Sequence, residues 1–313
     1  MPTTNALMAQ ALLDALEDTG VPYAVLHRES DAAAGLIESD IDVALGRPPL
    51  EVLPALMAAL SHTGAGLALI WPYDVNSLNT FWLSRDCRSG VQLDLLCDPL
   101  GRGKYGLRTD AVLQHTERGE RWMRLTPEVE QAYLVSKRWA KADVARLDEL
   151  ISRAAGRPSA DLTEEMFAER AARAVGAAYA GQKTPRGGRL WPNLRGLLSV
   201  RTASRLAHPV GVLVRLRGEA TLGVARDLSV MLDRVVVASD ISTGRSLSAR
   251  AARFIRLRRP HILLCVDDVG TRPDVEVTVT CPVNLDEVVN AVWQGLVDDA
   301  RRKMEVWSSV GGW

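Results

Sequence analysis

The chain has 313 residues, enough for about two domains of ordinary size. Its 38 basic residues balance its 38 acidic residues, so the net charge gives no reason to expect a polyanionic partner such as nucleic acid. No apolar run approaches the roughly 18 residues that span a bilayer, and the N-terminus lacks the basic start of a secretion signal, so we expect a cytoplasmic protein without a membrane partner.

Residues 1–122 are predicted to alternate helices and strands. The spacing of apolar residues predicts a helix near 5–18, strands at 22–27 and 40–45, a helix at 49–62, and strands near 66–71, 79–83 and 91–97. Such alternation is typical of an α/β fold, in which helices cover a sheet.

Residues 123–204 are predicted to form a helical extension and then a basic linker. Thr126 and Pro127 suit the N-cap and the first position of a long helix that reaches about residue 154. A further helix is predicted at 161–180, and the Gly- and Pro-rich stretch 180–196 predicts a linker.

The segment from Arg170 to Gly218 contains ten Lys or Arg residues and no Asp or Glu. With Trp191 inside it, this segment is a candidate for binding phosphates, an anionic partner or nucleic acid. The alternative is a solvated linker that docks against the acidic parts of the protein. Nucleic acid is not the partner that we expect.

Three aspartates on two predicted strands form the main candidate site. Asp40 and Asp42 lie two residues apart, so their side chains share one face of a strand while Ile41 and Val43 face the core. Asp94 lies at the centre of the apolar stretch "GVQLDLLCD", where a charge is costly to bury unless it is paired or binds a cation. Carboxylates that converge from neighbouring strands suit a Mg²⁺ (or Mn²⁺) site for nucleotide phosphates.

An Asp-x-Asp strand after a loop, followed by a strand with a lone Asp, resembles the nucleotidyltransferase fold of the polymerase-beta type over residues 20–97. The resemblance implies a mixed sheet. It also implies that Asp40 and Asp42 hold two metal ions, while Asp94 binds one and orients or activates the attacking hydroxyl. In the alternative interpretation, Asp40 caps its strand, Asp42 pairs with an arginine and Asp94 is a satisfied buried acid.

The chain departs from this family just after its first predicted strand. There the family normally has Gly-Ser or Gly-Gly, because small residues let backbone N–H groups approach the phosphates. This chain has "HRES" instead, with Arg28 and Glu29 where a glycine is expected and Ser30 as the remaining phosphate donor. Arg28 either supplies charge in place of the backbone donors or obstructs the pocket.

Basic residues elsewhere are further candidates for phosphate binding. Lys137 and Lys141 lie four residues apart and share a helix face. The resemblance implies that a basic residue from this helix reaches the triphosphate, and Lys137 is the first choice. The loop after Asp94 carries Lys104 as a candidate substrate contact, with Tyr105 and Arg108 beside it. A solvated helix face and an ordinary polar turn are the alternatives.

Residues 205–313 contain a second altered phosphate-binding pattern. Gly218 and Gly223 keep the spacing of GxxxxGK[ST], but Val224 and Ala225 stand where the motif has its lysine and its Ser or Thr. With the buried stretch "HILLCVDDV" and a closing helix, the segment is similar to thymidylate-kinase-like P-loop proteins. The resemblance implies a P-loop-kinase-like α/β domain without kinase activity. The alternative is an unrelated α/β domain with a chance glycine spacing.

These patterns together predict three parts: a nucleotidyltransferase-like core (1–122), a helical extension with a basic linker (123–204) and a degenerate P-loop-kinase-like domain (205–313). The predicted reaction moves a nucleoside monophosphate from an NTP, with ATP the first choice, to a hydroxyl acceptor. The competing prediction is a non-catalytic nucleotide-binding scaffold or regulatory pseudoenzyme, because both phosphate loops are altered.

Overall fold

The computed structural model describes residues 4–36, 40–74, 77–103, 105–153, 156, 158–182, 211–233, 238–242, 257, 261–266 and 272–309. Lys104 lies outside these residues, as does most of the predicted basic linker, residues 183–210. Within the described residues, no helix is long and apolar enough to cross a membrane.

Seven strands form one mixed sheet. In chain order they are β1 (Tyr23–Val25), β2 (Asp40–Leu45), β3 (Ala65–Asp74), β4 (Ser77–Ser84), β5 (Gly90–Leu96), β6 (Thr116–Arg118) and β7 (Met123–Leu125). They lie side by side in the order β3-β4-β5-β2-β1-β7-β6. The pairs β2–β5 and β1–β7 are parallel, and the other neighbours are antiparallel. The predicted α/β class is confirmed, and the predicted strand 40–45 coincides with β2.

Helices cover both faces of this sheet. They are α1 (Thr4–Asp18), α2 (Glu29–Ala33), α3 (Pro49–Leu60), α4 (Thr109–Val112), α5 (Pro127–Lys141), α6 (Val144–Arg153), α7 (Ala160–Met166) and α8 (Glu169–Tyr179). On one face, Leu12 of α1 and Leu53 of α3 share a core with Ile41 of β2. On the other face, Tyr133 of α5 shares a core with Ala44 of β2. Alternation along β2 therefore places Asp40 and Asp42 on the α5 side, as predicted.

The long helix predicted after Thr126 is two helices, which is a correction. Ala142 adopts a left-handed conformation, with φ 53° and ψ 35°, and ends α5. The N–H of Asp143 then donates to the carbonyl of Arg138, which satisfies a free carbonyl at the helix end. The prediction missed this break because a left-handed terminal residue is usually glycine or asparagine. The helix predicted at 161–180 is likewise divided into α7 and α8.

A second sheet lies in the C-terminal part of the chain. Its four parallel strands, in the order β11-β8-β10-β9, are β8 (Val212–Gly218), β9 (Ala238–Ser242), β10 (His261–Val266) and β11 (Val275–Val279). The helices α9 (Thr221–Asp233) and α10 (Leu285–Ser309) pack against it. From α10, the indole N–H of Trp293 donates to the carbonyl of Leu83 in β4 over 3.0 Å. Helix α10 therefore links the two sheets.

The predicted P-loop geometry is not present at Gly218–Ala225. Helix α9 begins at Thr221, so only two residues separate it from Gly218, and Gly223 lies within the helix. Val224 and Ala225 are buried in the core of the second sheet. Gly218 is required for another reason, because its φ is 119° and a β-carbon there would clash with the carbonyl of Val279. The glycine spacing in the sequence therefore marks a short turn and not a phosphate loop.

Candidate functional site

A row of polar side chains crosses the centre of the first sheet. Asp42 of β2 lies directly beside Asp94 of β5, and Asp94 lies directly opposite Asn79 of β4. Side chains of directly paired residues share a face and lie about 5 Å apart at their β-carbons. Asp40 is paired with Gln92 in the same way, one step along the two strands. The sheet therefore brings the three predicted aspartates to one region of one face.

Apolar cores flank this row on two sides. On one side, Phe81 of β4 belongs to the apolar core of the second sheet. On the other side, Leu96 of β5 and Ala44 of β2 belong to the core beneath α5. Asp40, at the start of β2, is only partly buried, whereas Asp42, Asp94 and Asn79 are buried.

Asp42 is held by three side chains. Its Oδ2 lies 2.7 Å from His27 Nε2, accepts a hydrogen bond from the hydroxyl of Tyr133 over 3.1 Å, and contacts the Lys137 ammonium. Asp42 and Lys137 are only 2% and 4% exposed. Lys137 Nζ also lies 3.3 Å from His27 Nε2. Asp42 is thus neutralised within the protein by a lysine and a histidine, where the alternative interpretation of the sequence had expected an arginine.

These contacts set the ionisation of Asp42. Burial by itself would raise the pKa of its carboxyl, but the hydrogen bond with His27 and the charge of Lys137 outweigh burial and hold the pKa well below its usual range. Asp42 is therefore an anion at neutral pH, and the partner that stabilises its charge is supplied by α5.

The pKa of Asp94 is shifted in the opposite direction. Its carboxyl is 9% exposed and accepts one hydrogen bond, from Gln92 Nε2 to Oδ1, over 2.9 Å. Burial, and then the negative charges of Asp42 and Asp40, raise the pKa of Asp94 well above its usual range. The pKa values of two neighbouring carboxyls are therefore shifted in opposite directions, because His27 and Lys137 contact Asp42 and not Asp94.

We tested whether this row suits a divalent cation. No three His, Cys, Asp or Glu side chains in the described ranges lie close enough together to hold a metal ion, so the two-metal arrangement implied by the resemblance is not assembled here. The row does contain a carboxylate with a raised pKa, Asp94, and a buried amide oxygen, Asn79 Oδ1, that has no hydrogen-bond partner among the described residues. Mg²⁺ is usually bound by one or two carboxylates together with waters and substrate phosphates. The donor set fits one such ion beside Asp94 and Asp42.

Two residues of "HRES", Arg28 and Glu29, contact other parts of the protein through their side chains. Arg28 is exposed, and its side chain pairs with Asp31 over 2.6 Å. Glu29 is buried, and its carboxylate accepts hydrogen bonds from the backbone N–H groups of residues 120–122 over 2.8–3.1 Å. Ser30 is partly buried within the short helix α2. Glu29 thus fastens the turn between β6 and β7 to the rest of the sheet.

The basic candidates separate into different places. Lys137 lies on Asp42, and Lys141 is half-buried one turn further along α5. Burial and the nearby charge of Lys137 lower the pKa of Lys141. Arg108 lines a separate cavity beside α7 and α8, together with Phe167. Among the basic candidates that the structure describes, the α5 lysines are therefore the ones that lie close to the aspartate row.

Four residues at this site were missed in the sequence: His27, Asn79, Gln92 and Tyr133. Tyr133 and Gln92 could have been found, because Tyr133 lies four residues before Lys137 on one helix face and Gln92 lies two residues before Asp94 on one strand face. His27 and Asn79 depend on strand pairing, which the sequence pattern does not fix. Comparisons of the chain with protein-family models, curated proteins and solved structures found no match, so the chemistry of the site must be argued from its own geometry.

Proposed function

We propose that this chain is a metal-dependent nucleotidyltransferase. It moves a nucleoside monophosphate from an NTP, with ATP the first candidate, to a hydroxyl acceptor, and pyrophosphate leaves. The observation that carries this proposal is the direct pairing of Asp42 with Asp94 on parallel strands, with Asp40 two residues earlier on the same face. Three carboxylates on one sheet face, with lysines on the helix above it, suit the transfer of a phosphoryl group.

The residues of the site have different roles in the proposed reaction. Asp42 and Asp94 would hold a Mg²⁺ ion, which when bound neutralises charge on the phosphates and on the transferred group. Asp94 is the carboxylate without a lysine contact, so it is the one that orients or deprotonates the acceptor hydroxyl. Lys137 is placed to exchange its contact with Asp42 for a phosphate oxygen, and Lys141 adds charge on the same helix face.

The second candidate is a non-catalytic nucleotide-binding scaffold. It is favoured by the contact between Lys137 and Asp42, because the ammonium already occupies a carboxylate oxygen that a metal ion requires. It is also favoured by the altered phosphate loop, where the backbone N–H of Arg28 already donates to Glu130 Oε1 over 3.2 Å. A scaffold of this kind binds a nucleotide without needing Mg²⁺.

Thermal melts with nucleotide and metal test both candidates. The wild type and Asp94→Asn are melted alone, with each NTP, and with each NTP and Mg²⁺, and the exposed Asp18→Asn serves as a matched control. Linkage predicts a gain of about 2.7 kcal/mol for the wild type at a hundredfold excess of Mg²⁺-NTP over its dissociation constant. We expect Asp94→Asn to lose this gain and Asp18→Asn to keep it.

A gain from NTP that is the same with and without Mg²⁺ would favour the scaffold. If no NTP stabilises the wild type under either condition, both candidates are wrong. Incubation with the labelled NTP that binds, Mg²⁺ and a cell extract then separates transfer from binding, because only a transferase produces a labelled product that depends on Asp94.

A further inference from the structure

The strand next to Asp94 carries a polar residue that the fold alone does not explain. Asn79 is 5% exposed and is the third residue of β4, between Leu78 and Thr80. Its Oδ1 is buried without a hydrogen-bond partner among the described residues. A buried amide oxygen without a partner is destabilising, so an aliphatic residue of the same size would suit this position better.

The neighbouring residue Thr80 is also buried and polar, but its hydroxyl has hydrogen-bond partners within the core. Thr80 faces the opposite side of β4, where its hydroxyl donates to the carbonyl of Leu93 over 2.8 Å and accepts from the indole of Trp82 over 2.9 Å. Both hydrogen-bonding functions of Thr80 are therefore used within the core. Asn79 differs because its oxygen lies on the face of Asp94, to which it is directly paired.

We propose that Asn79 is a further oxygen donor of the cation site, and that its Oδ1 binds the ion beside Asp94 or one of the ion's water ligands. This inference rests on the proposed function, because it assumes that the row of Asp42 and Asp94 holds a divalent cation. A side-chain carbonyl is a ligand type that Mg²⁺ and Mn²⁺ accept. An ion in this place gives the orphaned oxygen of Asn79 its partner and the neighbouring Asp94 a counter-charge.

The test measures Mn²⁺ binding and thermal stability, both without nucleotide. Mn²⁺ is titrated into the wild type, Asn79→Leu and Asn79→Asp, with Thr80→Val as the control on the same strand. We expect Asn79→Leu to weaken Mn²⁺ binding by about 10-fold or more, as is typical when a supporting group of a metal site is removed. Its melting temperature without metal should equal or exceed that of the wild type, because an unsatisfied buried group has been removed.

The other variants should separate a metal role from a structural one. Asn79→Asp keeps an oxygen donor, so it should bind Mn²⁺ more tightly than Asn79→Leu does. It should melt at a lower temperature than the wild type without metal, because it adds a charge beside Asp94. Thr80→Val should melt lower than the wild type while its affinity for Mn²⁺ is unchanged, because its hydroxyl is used only within the core.

Two results overturn the proposal, and they differ in what else they overturn. If Asn79→Leu melts lower without metal and binds Mn²⁺ as the wild type does, Asn79 is a core residue whose amide has a structural partner, such as the proton of Asp94, and the proposed transferase function stands. If the wild type itself binds no Mn²⁺ without nucleotide, the proposal for Asn79 is wrong, and the thermal melts with Mg²⁺-NTP decide whether the proposed function fails with it.

Discussion

The two sheets differ in how the buried charged residues of their central strands are paired. In the first sheet, the central parallel strands β2 and β5 carry Asp42 and Asp94 side by side, and Lys137 contacts only one of them. In the second sheet, the central strand β8 carries one buried charge, Arg215, which pairs with Glu276 of the neighbouring strand β11 over 3.3 Å. Glu276 also pairs with the exposed Arg217 over 3.2 Å, so the buried Arg215 has a counter-charge within its own sheet. In the first sheet, Lys137 contacts Asp42 and not Asp94, and this difference supports the proposal that a ligand binds at the first sheet.

Substitution of Lys137 is the strongest test of this difference between the two sheets. Lys137→Met leaves the buried Asp42 carboxylate without its lysine, and loss of one partner of a buried pair is expected to cost about 3–5 kcal/mol of unfolding free energy. Urea denaturation at neutral pH measures this cost. Lys141→Met, one turn away and half-buried, should cost much less.

A double variant shows whether the cost arises from the stranded charge. Lys137→Met combined with Asp42→Asn removes both charges, so it should recover much of the stability lost in Lys137→Met alone. If Lys137→Met is no less stable than Lys141→Met, the ion pair with Asp42 is not structural.

The second sheet is tested at Val224, where the P-loop motif has its lysine. Val224→Lys places a charge at a site that is only 4% exposed, and the expected cost is about 3 kcal/mol. Because α9 already begins at Thr221, the new lysine should bring no affinity for ATP, which calorimetry measures. Leu222→Lys, at an exposed position of the same helix, is the control and should change stability little. Affinity for ATP gained with Val224→Lys would contradict the corrected description of this turn.

Substitution of Glu29 tests whether a buried acid next to the first sheet has a structural role and no role in ligand binding. Glu29→Gln removes the charge that accepts three backbone N–H groups, and hydrogen bonds to a charged group of this kind predict a cost of about 2 kcal/mol. Asp31→Asn breaks only the exposed pair with Arg28 and should cost well under 1 kcal/mol. Chemical denaturation gives both values. Stabilisation of Glu29→Gln by Mg²⁺-NTP should equal that of the wild type, and a loss of it would show that Glu29 supports nucleotide binding.

The sequence predicted the α/β class, the limits of β2 and the face shared by Asp40 and Asp42, because these depend on local alternation of apolar and polar residues. It did not predict which groups neutralise Asp42, because Lys137 is 95 residues away and reaches it only through the packing of α5 on the sheet. It also misread Gly218 and Gly223, since a glycine spacing does not determine where a helix begins. Local patterns thus gave the strands, while tertiary packing decides what each charged residue contacts.

The smallest expected effect, and the most specific for the shared charge, is the pH dependence of Asp94→Asn. Burial and the charges of Asp42 and Asp40 raise the pKa of Asp94 in the folded protein above the unfolded value of about 3.9. A raised folded pKa means that the folded state holds its proton more tightly, so the wild type loses stability as the pH rises from the unfolded pKa through the folded one.

Asparagine keeps the oxygen that accepts from Gln92 but cannot ionise. Without metal, Asp94→Asn should therefore match the wild type near the unfolded pKa of about 4 and become the more stable of the two as the pH rises above it. Asp42→Asn should show the opposite sign, because the pKa of Asp42 is held below its usual range and the stabilisation by its charge is lost only as the pH falls. Urea midpoints of the three proteins over this range of pH measure both trends. If the curves of the wild type and Asp94→Asn stay parallel, Asp94 has a partner for its charge in the folded protein, and the contrast between the two sheets no longer supports the proposed ligand site.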